Sequence, residues 1–270
     1  MPNRAQGGHM RTAKNTVLLA ALSLFLLGNR GCMQSNAHSS KESRASISQD
    51  ELLKKRDIAV AQRNIEHVAS ALEQLVLQHP DAEENKTWRL QLAQTYLELG
   101  SNELAYRVYK DYTKLFPNDE NTEDAAYRAI AAKYAQTVRL RSECDTTEAS
   151  KTIGLCKKYL ANPSFEAHRT DIQDILKTCE NRLVNKELYV FDTYLIQGKL
   201  ASAKARLESF KETFVAKDPS LEPQALFLEC KLARLEKRPQ DAQVVYEKLQ
   251  QNHASSPYTK MAMGQARASA

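Results

Sequence analysis

The side chains of this chain that could carry out chemistry are five cysteines, six histidines and several adjacent carboxylates. His67 and His79 lie twelve residues apart, with no cysteine or carboxylate at the spacing of a metal ligand. The acidic pair Glu83-Glu84 follows a proline at a helix start, where negative charge favours the helix dipole. Neither G-x-G-x-x-G, G-x-x-x-x-G-K-[ST] nor G-x-S-x-G occurs. The sequence therefore predicts no catalytic residue, no metal and no cofactor.

One cysteine is placed for covalent modification. An apolar run over residues 17–27 follows a basic segment, which is typical of a secretory signal, and it is shorter than the roughly 20 residues that span a bilayer. Cys32 follows it, directly after a glycine, and this resembles the bacterial lipobox, at which the cysteine is acylated. The two residues before that glycine differ from the motif, so cleavage elsewhere or an uncleaved anchor is the alternative. We predict a lipoprotein-type signal peptide over 1–31, starting at Met1 or Met10, and acylation of Cys32, with palmitate as a label for it.

The other cysteines are Cys144, Cys156, Cys179 and Cys230. No two of them have the C-x-x-C spacing of a zinc or redox site, and three of the four lie in helical patterns, where a thiol behaves as a small apolar side chain. We expect buried free thiols, with one structural disulfide as the alternative in an exported chain.

Net charge does not indicate a nucleic-acid partner. The chain has 38 basic and 33 acidic residues, and residues 1–31 hold four of the basic residues and none of the acidic ones. The mature chain would therefore be nearly neutral. Residues 32–49 are rich in serine and poor in apolar side chains, which predicts a tether. Only four glycines follow residue 31, too few for a turn-rich all-β chain, so we expect helices.

A doubled spacing indicates the elements that would position a binding site. An aromatic residue on a first helix, a glycine that closes it and a small residue on a second helix let two antiparallel helices cross closely. This repeat signature occurs as Tyr96, Gly100 and Ala105, and again as Tyr194, Gly198 and Ala203. Because repetition at a fixed spacing is typical of stacked units, the pattern predicts a solenoid of helical hairpins.

Five stretches within residues 50–260 match this pattern to different degrees, and residues 86–117 match it best. The first stretch has Arg63 where the best one has Gly100, which weakens that match. No glycine or proline lies between residues 163 and 198, so one helix over about 166–197 would serve the third and fourth hairpins. We predict a repeat domain over 50–260 and a C-terminal tail over 261–270.

One stretch is more specific than a generic helical repeat. It reads Glu187-Leu188-Tyr189-Val190, then Tyr194-Leu195, Gly198, Ser202-Ala203 and Arg206. The hairpin at 86–117 resembles the tetratricopeptide repeat, and this second stretch resembles the fourth repeat of the BamD family, the lipoproteins of the outer-membrane β-barrel assembly machinery. The uninterrupted helix before Gly198 agrees with that family, as does the segment Asp145–Ala149 at the start of a second helix. The predicted fold class is therefore an all-α tetratricopeptide-repeat solenoid of about five helical hairpins.

The resemblance implies a non-catalytic scaffold, held by lipid on the periplasmic face of the outer membrane. It implies that the C-terminal repeats bind the barrel-forming subunit and that the N-terminal repeats bind extended segments of unfolded outer-membrane proteins. The alternative is a periplasmic tetratricopeptide lipoprotein that scaffolds peptidoglycan, pilus or secretion machinery. The generic repeats do not separate these two functions, and only the stretch from Glu187 to Arg206 favours the first.

Helical phase places five side chains where a bound segment would run along the first helices. They are Arg89, Gln94 and Glu98 in the second hairpin, and Tyr189 and Asp192 in the fourth. Adjacent first helices offer amides and carboxylates at a regular pitch, which suits an extended peptide. A purely structural role is the alternative for each of the five.

Overall fold

The computed structural model describes residues 47–139 and 146–268. The predicted signal peptide, Cys32, most of the tether and Cys144 lie outside these residues. Within them the chain forms eleven α-helices and no β-strand. The helices are α1 Gln49–Ala61, α2 Ile65–Gln78, α3 Asn85–Glu98, α4 Asn102–Leu115, α5 Thr122–Arg139, α6 Thr147–Leu160, α7 Arg169–Ile196, α8 Leu200–Phe210, α9 Glu222–Leu235, α10 Pro239–Asn252 and α11 Pro257–Ala268. A π-helical turn over Lys211–Val215 extends α8, and a 3-10 turn over Pro219–Leu221 precedes α9.

The helices pair in chain order. Five hairpins form from α1 and α2, α3 and α4, α5 and α6, α7 and α8, and α9 and α10, and each hairpin packs against the next. The predicted all-α solenoid of tetratricopeptide type is confirmed by this order of stacked hairpins. The long uninterrupted helix is α7, which has 28 residues and contacts both α6 before it and α8 after it.

Four of the hairpins close with the same turn. One residue in each turn has a left-handed backbone: φ is 55° at Arg63, 68° at Gly100, 69° at Gly198 and 59° at Lys237. The next amide donates to the carbonyl five residues back in every case, as in Ser101 N to Tyr96 O at 2.8 Å and Asn64 N to Ala59 O at 2.9 Å. This hydrogen bond defines a Schellman cap. Arg63 therefore adopts the same turn as Gly100, although an arginine at this position departs from the sequence pattern of the repeat.

The small residues of the repeat signature lie where helices cross. Ala105 and Ala203 are both fully buried, so their side chains set how closely each second helix approaches its neighbours. Tyr96 is buried in a core cluster that spans α1 to α5. Tyr194 is half-buried and packs against a second cluster that spans α7 to α11. The two ends of the solenoid therefore have separate cores, and a smaller cluster from α5 to α7 lies between them.

Residues 261–268 differ from the sequence-based expectation of a tail. They continue α11, which begins at Pro257 and packs against α9 and α10. Ala262 is fully buried in the C-terminal core, and the Thr259 hydroxyl donates to the His253 carbonyl at 2.6 Å. A single helix thus covers the apolar face that the last hairpin would otherwise expose.

Candidate protein-binding surface of the first helices

The shared turn gives four first helices a common register, counted back from the left-handed residue. Six residues before it lie Asp57, Gln94, Asp192 and Lys231, which we call the central row. Two residues before it lie Ala61, Glu98, Ile196 and Leu235, which we call the turn-end row. All eight side chains are exposed or half-buried. These rows therefore form one surface along α1, α3, α7 and α9.

The surface is polar at α3 and at the neighbouring helix α5. The Gln94 Nε2 amide donates to Glu98 Oε1 at 3.2 Å, within α3. Arg128 on α5 donates from Nη1 to Gln94 Oε1 at 3.3 Å and from Nε to Asp124 Oδ2 at 2.6 Å. Two of the predicted residues, Gln94 and Glu98, thus lie together and are linked to the next first helix.

The polar group continues from α5 to α7. Asp124 Oδ1 lies 3.7 Å from His168 Nε2, and His168 Nδ1 lies 3.8 Å from Asp171 Oδ2. The His168 ring stacks on Tyr127, with 4.0 Å between ring centroids and 8° between planes. Sequence reasoning missed Arg128, Asp124 and His168. The spacing of Asp124 and Arg128 by one helical turn is a signal for their pair. The contacts of His168 with Asp124 and Tyr127 have no such signal, because they form between hairpins.

Arg89 takes a different place. Its Nε donates to Asn85 Oδ1 at 2.7 Å, and the buried Asn85 amide donates to the carbonyls of Val76 and His79. Burial lowers the pKa of the Arg89 guanidinium, and Asp111 partly opposes this. The structure therefore places Arg89 at the junction of the first two hairpins and does not bring it together with Gln94 and Glu98.

The C-terminal part of the surface combines one ion pair with exposed apolar side chains. Lys231 Nζ lies 2.7 Å from Asp192 Oδ1, so neighbouring members of the central row join α7 to α9. In the turn-end row Ile196 is 87% exposed and Leu235 is 49% exposed. Tyr189 is 52% exposed, and Lys186 Nζ lies 5.9 Å from its ring centroid. The same face is thus apolar at α7 and α9 where it is acidic at α3.

The cysteine side chains within the described residues are buried. Cys156, Cys179 and Cys230 are free thiols with almost no exposed surface. Burial raises the pKa of Cys156 to about 12 and that of Cys179 to about 11, so both stay protonated near neutral pH and are poor nucleophiles. In residues 47–139 and 146–268 no group of three His, Cys, Asp or Glu side chains is arranged to hold a metal ion.

Three solved structures are distantly similar to the chain. PilW, a widely conserved type IV pilus biogenesis factor, is 15% identical with a TM-score of 0.31, and the alignment covers 80% of this chain and 100% of that one. A tetratricopeptide repeat protein from Parabacteroides merdae is 13% identical with a TM-score of 0.26, covering 79% and 98%. Acl4, an assembly chaperone of RpL4, is 14% identical with a TM-score of 0.25, covering 82% and 96%. No curated protein matches the chain.

A family model also matches most of the chain. Among the described residues, every helix is too short or too polar to cross a bilayer. The model described as YfiO, outer membrane lipoprotein, matches residues 46–242, which include the helices α1 to α9 and the start of α10. Because this match covers well over half of the 270 residues, the chain belongs to the YfiO family of outer membrane lipoproteins.

Proposed function

We propose that this lipoprotein is a non-catalytic scaffold of the outer-membrane β-barrel assembly machinery that binds two kinds of protein on its first helices. The observation that carries the proposal is the change along the turn-end row, from Glu98 on α3 to Ile196 and Leu235 on α7 and α9. One face with two chemistries suits two partners. Membership of an outer membrane lipoprotein family supports the location of this activity.

The N-terminal part of the surface is the site for extended segments of unfolded outer-membrane proteins. Such segments present backbone amides and carbonyls that need hydrogen-bond partners. Gln94 supplies both a donor and an acceptor, Glu98 supplies an acceptor, and Arg128 supplies donors from the next helix. Because these groups are linked by single hydrogen bonds of 3.2 and 3.3 Å, a peptide backbone can replace either bond with its own.

The C-terminal part is the site for the periplasmic domain of the barrel-forming subunit. Adjacent apolar side chains on a water-exposed protein surface indicate a binding site that a folded partner covers. Ile196 and Leu235 offer that apolar contact, and the nearby pair of Asp192 and Lys231 offers polar groups at the rim of it. Tyr189 adds an aromatic anchor of the kind enriched at interface hot spots.

Attachment to the membrane is assigned in this proposal to acylated Cys32. Two lipid signals are needed for stable anchoring because a single acyl chain binds only marginally. Cells that express the full chain or Cys32→Ser would be labelled with radioactive palmitate. Label in the parent and none in Cys32→Ser supports the anchor, whereas equal label in both contradicts it.

The partner sites are tested by co-purification of the tagged full chain from detergent-solubilised envelope. The variant Ile196→Glu with Leu235→Glu should lose most of the barrel-forming subunit, because two carboxylates would then face an apolar surface. Val244→Glu is the matched control, since Val244 is also an exposed apolar residue, 52% exposed, but lies on the second helix α10. It should retain the subunit at the parental level.

The N-terminal site is tested on the same preparations. Gln94→Ala with Glu98→Ala should reduce crosslinking to unfolded barrel proteins about tenfold while the barrel-forming subunit stays bound. If the parent co-purifies with a different envelope complex and no barrel-forming subunit, the chain is a scaffold of peptidoglycan, pilus or secretion machinery, and the proposal fails. Equal loss of the subunit in Val244→Glu would refute the C-terminal site.

A further inference from the structure

A groove lies away from the surface of the first helices, between the second helices of two neighbouring hairpins. It runs between α4 and α6, and α5 forms its floor with Ala126 and Ile130. It contains a cavity of about 340 Å³, which is within the range of small-ligand pockets. Tyr106 on α4 and Leu155 and Tyr159 on α6 form its walls. We call this the second-helix groove.

The rim of the groove is cationic. Lys110 and Lys114 on α4 face Lys158 on α6, and among the described residues that line the 340 Å³ cavity there are no carboxylates. Asp111 is the nearest acid on the same helix, with Oδ1 3.7 Å from Lys114 Nζ, and both of these side chains are more than half exposed. Three ammonium groups around an apolar cavity favour an occupant that is both apolar and acidic.

The groove continues between α4 and α6, past Gly154 on α6. A second cavity of about 400 Å³ shares Tyr106 and Leu155 with the first and adds Gly154 and Lys151. Its acid, Glu103, lies 3.0 Å from Lys133 Nζ, so this carboxylate is already paired. A Cβ added at Gly154 would meet no atom within 4 Å. Glycine inside a helix costs stability relative to alanine, and packing does not require it here, but it leaves the groove open.

We infer that the second-helix groove binds an extended segment of a partner protein in which large apolar side chains alternate with carboxylates. In an extended chain successive side chains point to opposite sides, so one set enters the cavity while the other meets the lysines at the rim. The wall from Tyr106 to Pro117 is roughly 17 Å long at 1.5 Å per helical residue, which matches about five extended residues. This inference concerns a different face and does not depend on the partners proposed for the first helices.

The test measures binding of fluorescein-labelled heptapeptides to the purified full chain by fluorescence anisotropy. The probe alternates leucine with glutamate, and its matched controls replace every glutamate with lysine or every leucine with serine. We expect the acidic apolar peptide to bind and to weaken as salt is added, and both controls to bind at least tenfold more weakly. Lys114→Glu with Lys158→Glu should weaken the acidic peptide at least tenfold. Lys248→Glu, an exposed lysine on α10, should leave its affinity unchanged.

A glycine variant separates occupancy of the groove from stability. Gly154→Leu places a side chain in the groove and should weaken binding at least tenfold, while the melting temperature stays equal or rises because leucine favours helix. Gly264→Leu is the matched control, since Gly264 is a helical glycine on α11 with equally open space at its Cβ. Equal binding by Gly154→Leu and the parent would overturn the inference, as would failure of the parent to bind the acidic peptide. Two results together would show that the groove holds an acyl chain and that the inference is wrong. They are equal binding of the glutamate and lysine peptides, and displacement of both peptides by dodecanoate.

Discussion

The second and fourth hairpins have the same construction and different surfaces. Their turns superimpose in backbone angle, with φ of 68° at Gly100 and 69° at Gly198, and Ala105 and Ala203 are both fully buried. Yet the residue two before the glycine is acidic in one and apolar in the other. The comparison shows that the residues that build a hairpin are distinct from those that determine what it binds.

The second helices of the two hairpins also differ in how their ends are held. In hairpin two the Tyr112 hydroxyl donates to Asp119 Oδ1 at 2.6 Å, and Lys86 Nζ lies 3.0 Å from Asp119 Oδ2. In hairpin four the same position is Phe210, whose ring packs on Phe214 with 5.6 Å between centroids. A charged hydrogen-bond group holds one helix end, and an apolar contact holds the other.

The largest effect should come from placing charge at the shared helix crossing. Ala105→Glu and Ala203→Glu each bury a carboxylate without a partner in a site that has no room for it, at a cost of several kcal/mol in the free energy of unfolding. Circular dichroism melts of both variants should show large and similar losses of stability, because the two crossings are equally buried.

Ser202→Glu is the control for added charge. Ser202 is exposed and adjacent to Ala203, so this variant should melt within a few degrees of the parent. A melt of Ala203→Glu that coincides with that of Ser202→Glu would show that the crossing is not close-packed. A loss of stability in Ala203→Glu without a similar loss in Ala105→Glu would show that the two hairpins are not equivalent.

The equivalence of the two hairpins can be predicted from the sequence, because the repeat signature depends only on the spacing of residues close together in the chain. Tyr96, Gly100 and Ala105 recur at the same separations as their counterparts, and close helix crossing demands those residue types. Arg63 was harder to interpret because non-glycine residues rarely adopt positive φ, yet at 55° it closes the first hairpin. The structure of the whole hairpin determines the turn at Arg63, so the residue type at that one position does not predict it.

The binding surface could be predicted only in part. Helical phase identifies exposed positions such as Gln94 and Asp192 on a first helix, but not what faces them from the next hairpin. The links from Gln94 to Arg128 and from Asp192 to Lys231 join residues 34 and 39 positions apart. Such contacts depend on how the hairpins stack, and stacking is a tertiary property that single-helix patterns do not contain.

An intermediate effect is expected from Asp119, and it should depend on pH. Hydrogen bonds from Tyr112, the Asn121 amide and Lys86 hold the pKa of the Asp119 carboxyl well below its usual value of 3.8. Because the folded pKa is depressed, the stabilisation is fully present above about pH 4 and is lost progressively as the pH falls from that value through the folded pKa. Asp119→Asn should lower the free energy of unfolding by about 2 kcal/mol at pH 7 and by less at pH 3, where part of the carboxylate's contribution has been lost.

Asp218→Asn is the matched control, because Asp218 occupies the corresponding connection after hairpin four and is exposed. Its bond to the Ser220 amide, at 3.0 Å, stays within the 3-10 turn, so the substitution should change stability little at either pH. Urea titrations at pH 7 and pH 3 measure both variants. If the loss in Asp119→Asn is the same at both pH values, the carboxylate charge does not hold the end of α4.

The smallest effects concern the turn itself and test whether its residues are interchangeable. Gly198→Ala meets no steric clash, since nothing lies within 4 Å of the added Cβ, and so its cost of about 1 kcal/mol comes from the left-handed backbone alone. Arg63→Gly should stabilise the chain by up to about 1 kcal/mol for the same reason, less the entropy that glycine gains in the unfolded state. Gly264→Ala, inside α11, should be stabilising by about 0.5–1 kcal/mol, because that glycine has no positive φ to maintain. Urea titrations should therefore give opposite signs for the two alanine variants, and equal signs would show that the turn does not impose its backbone angle on hairpin four.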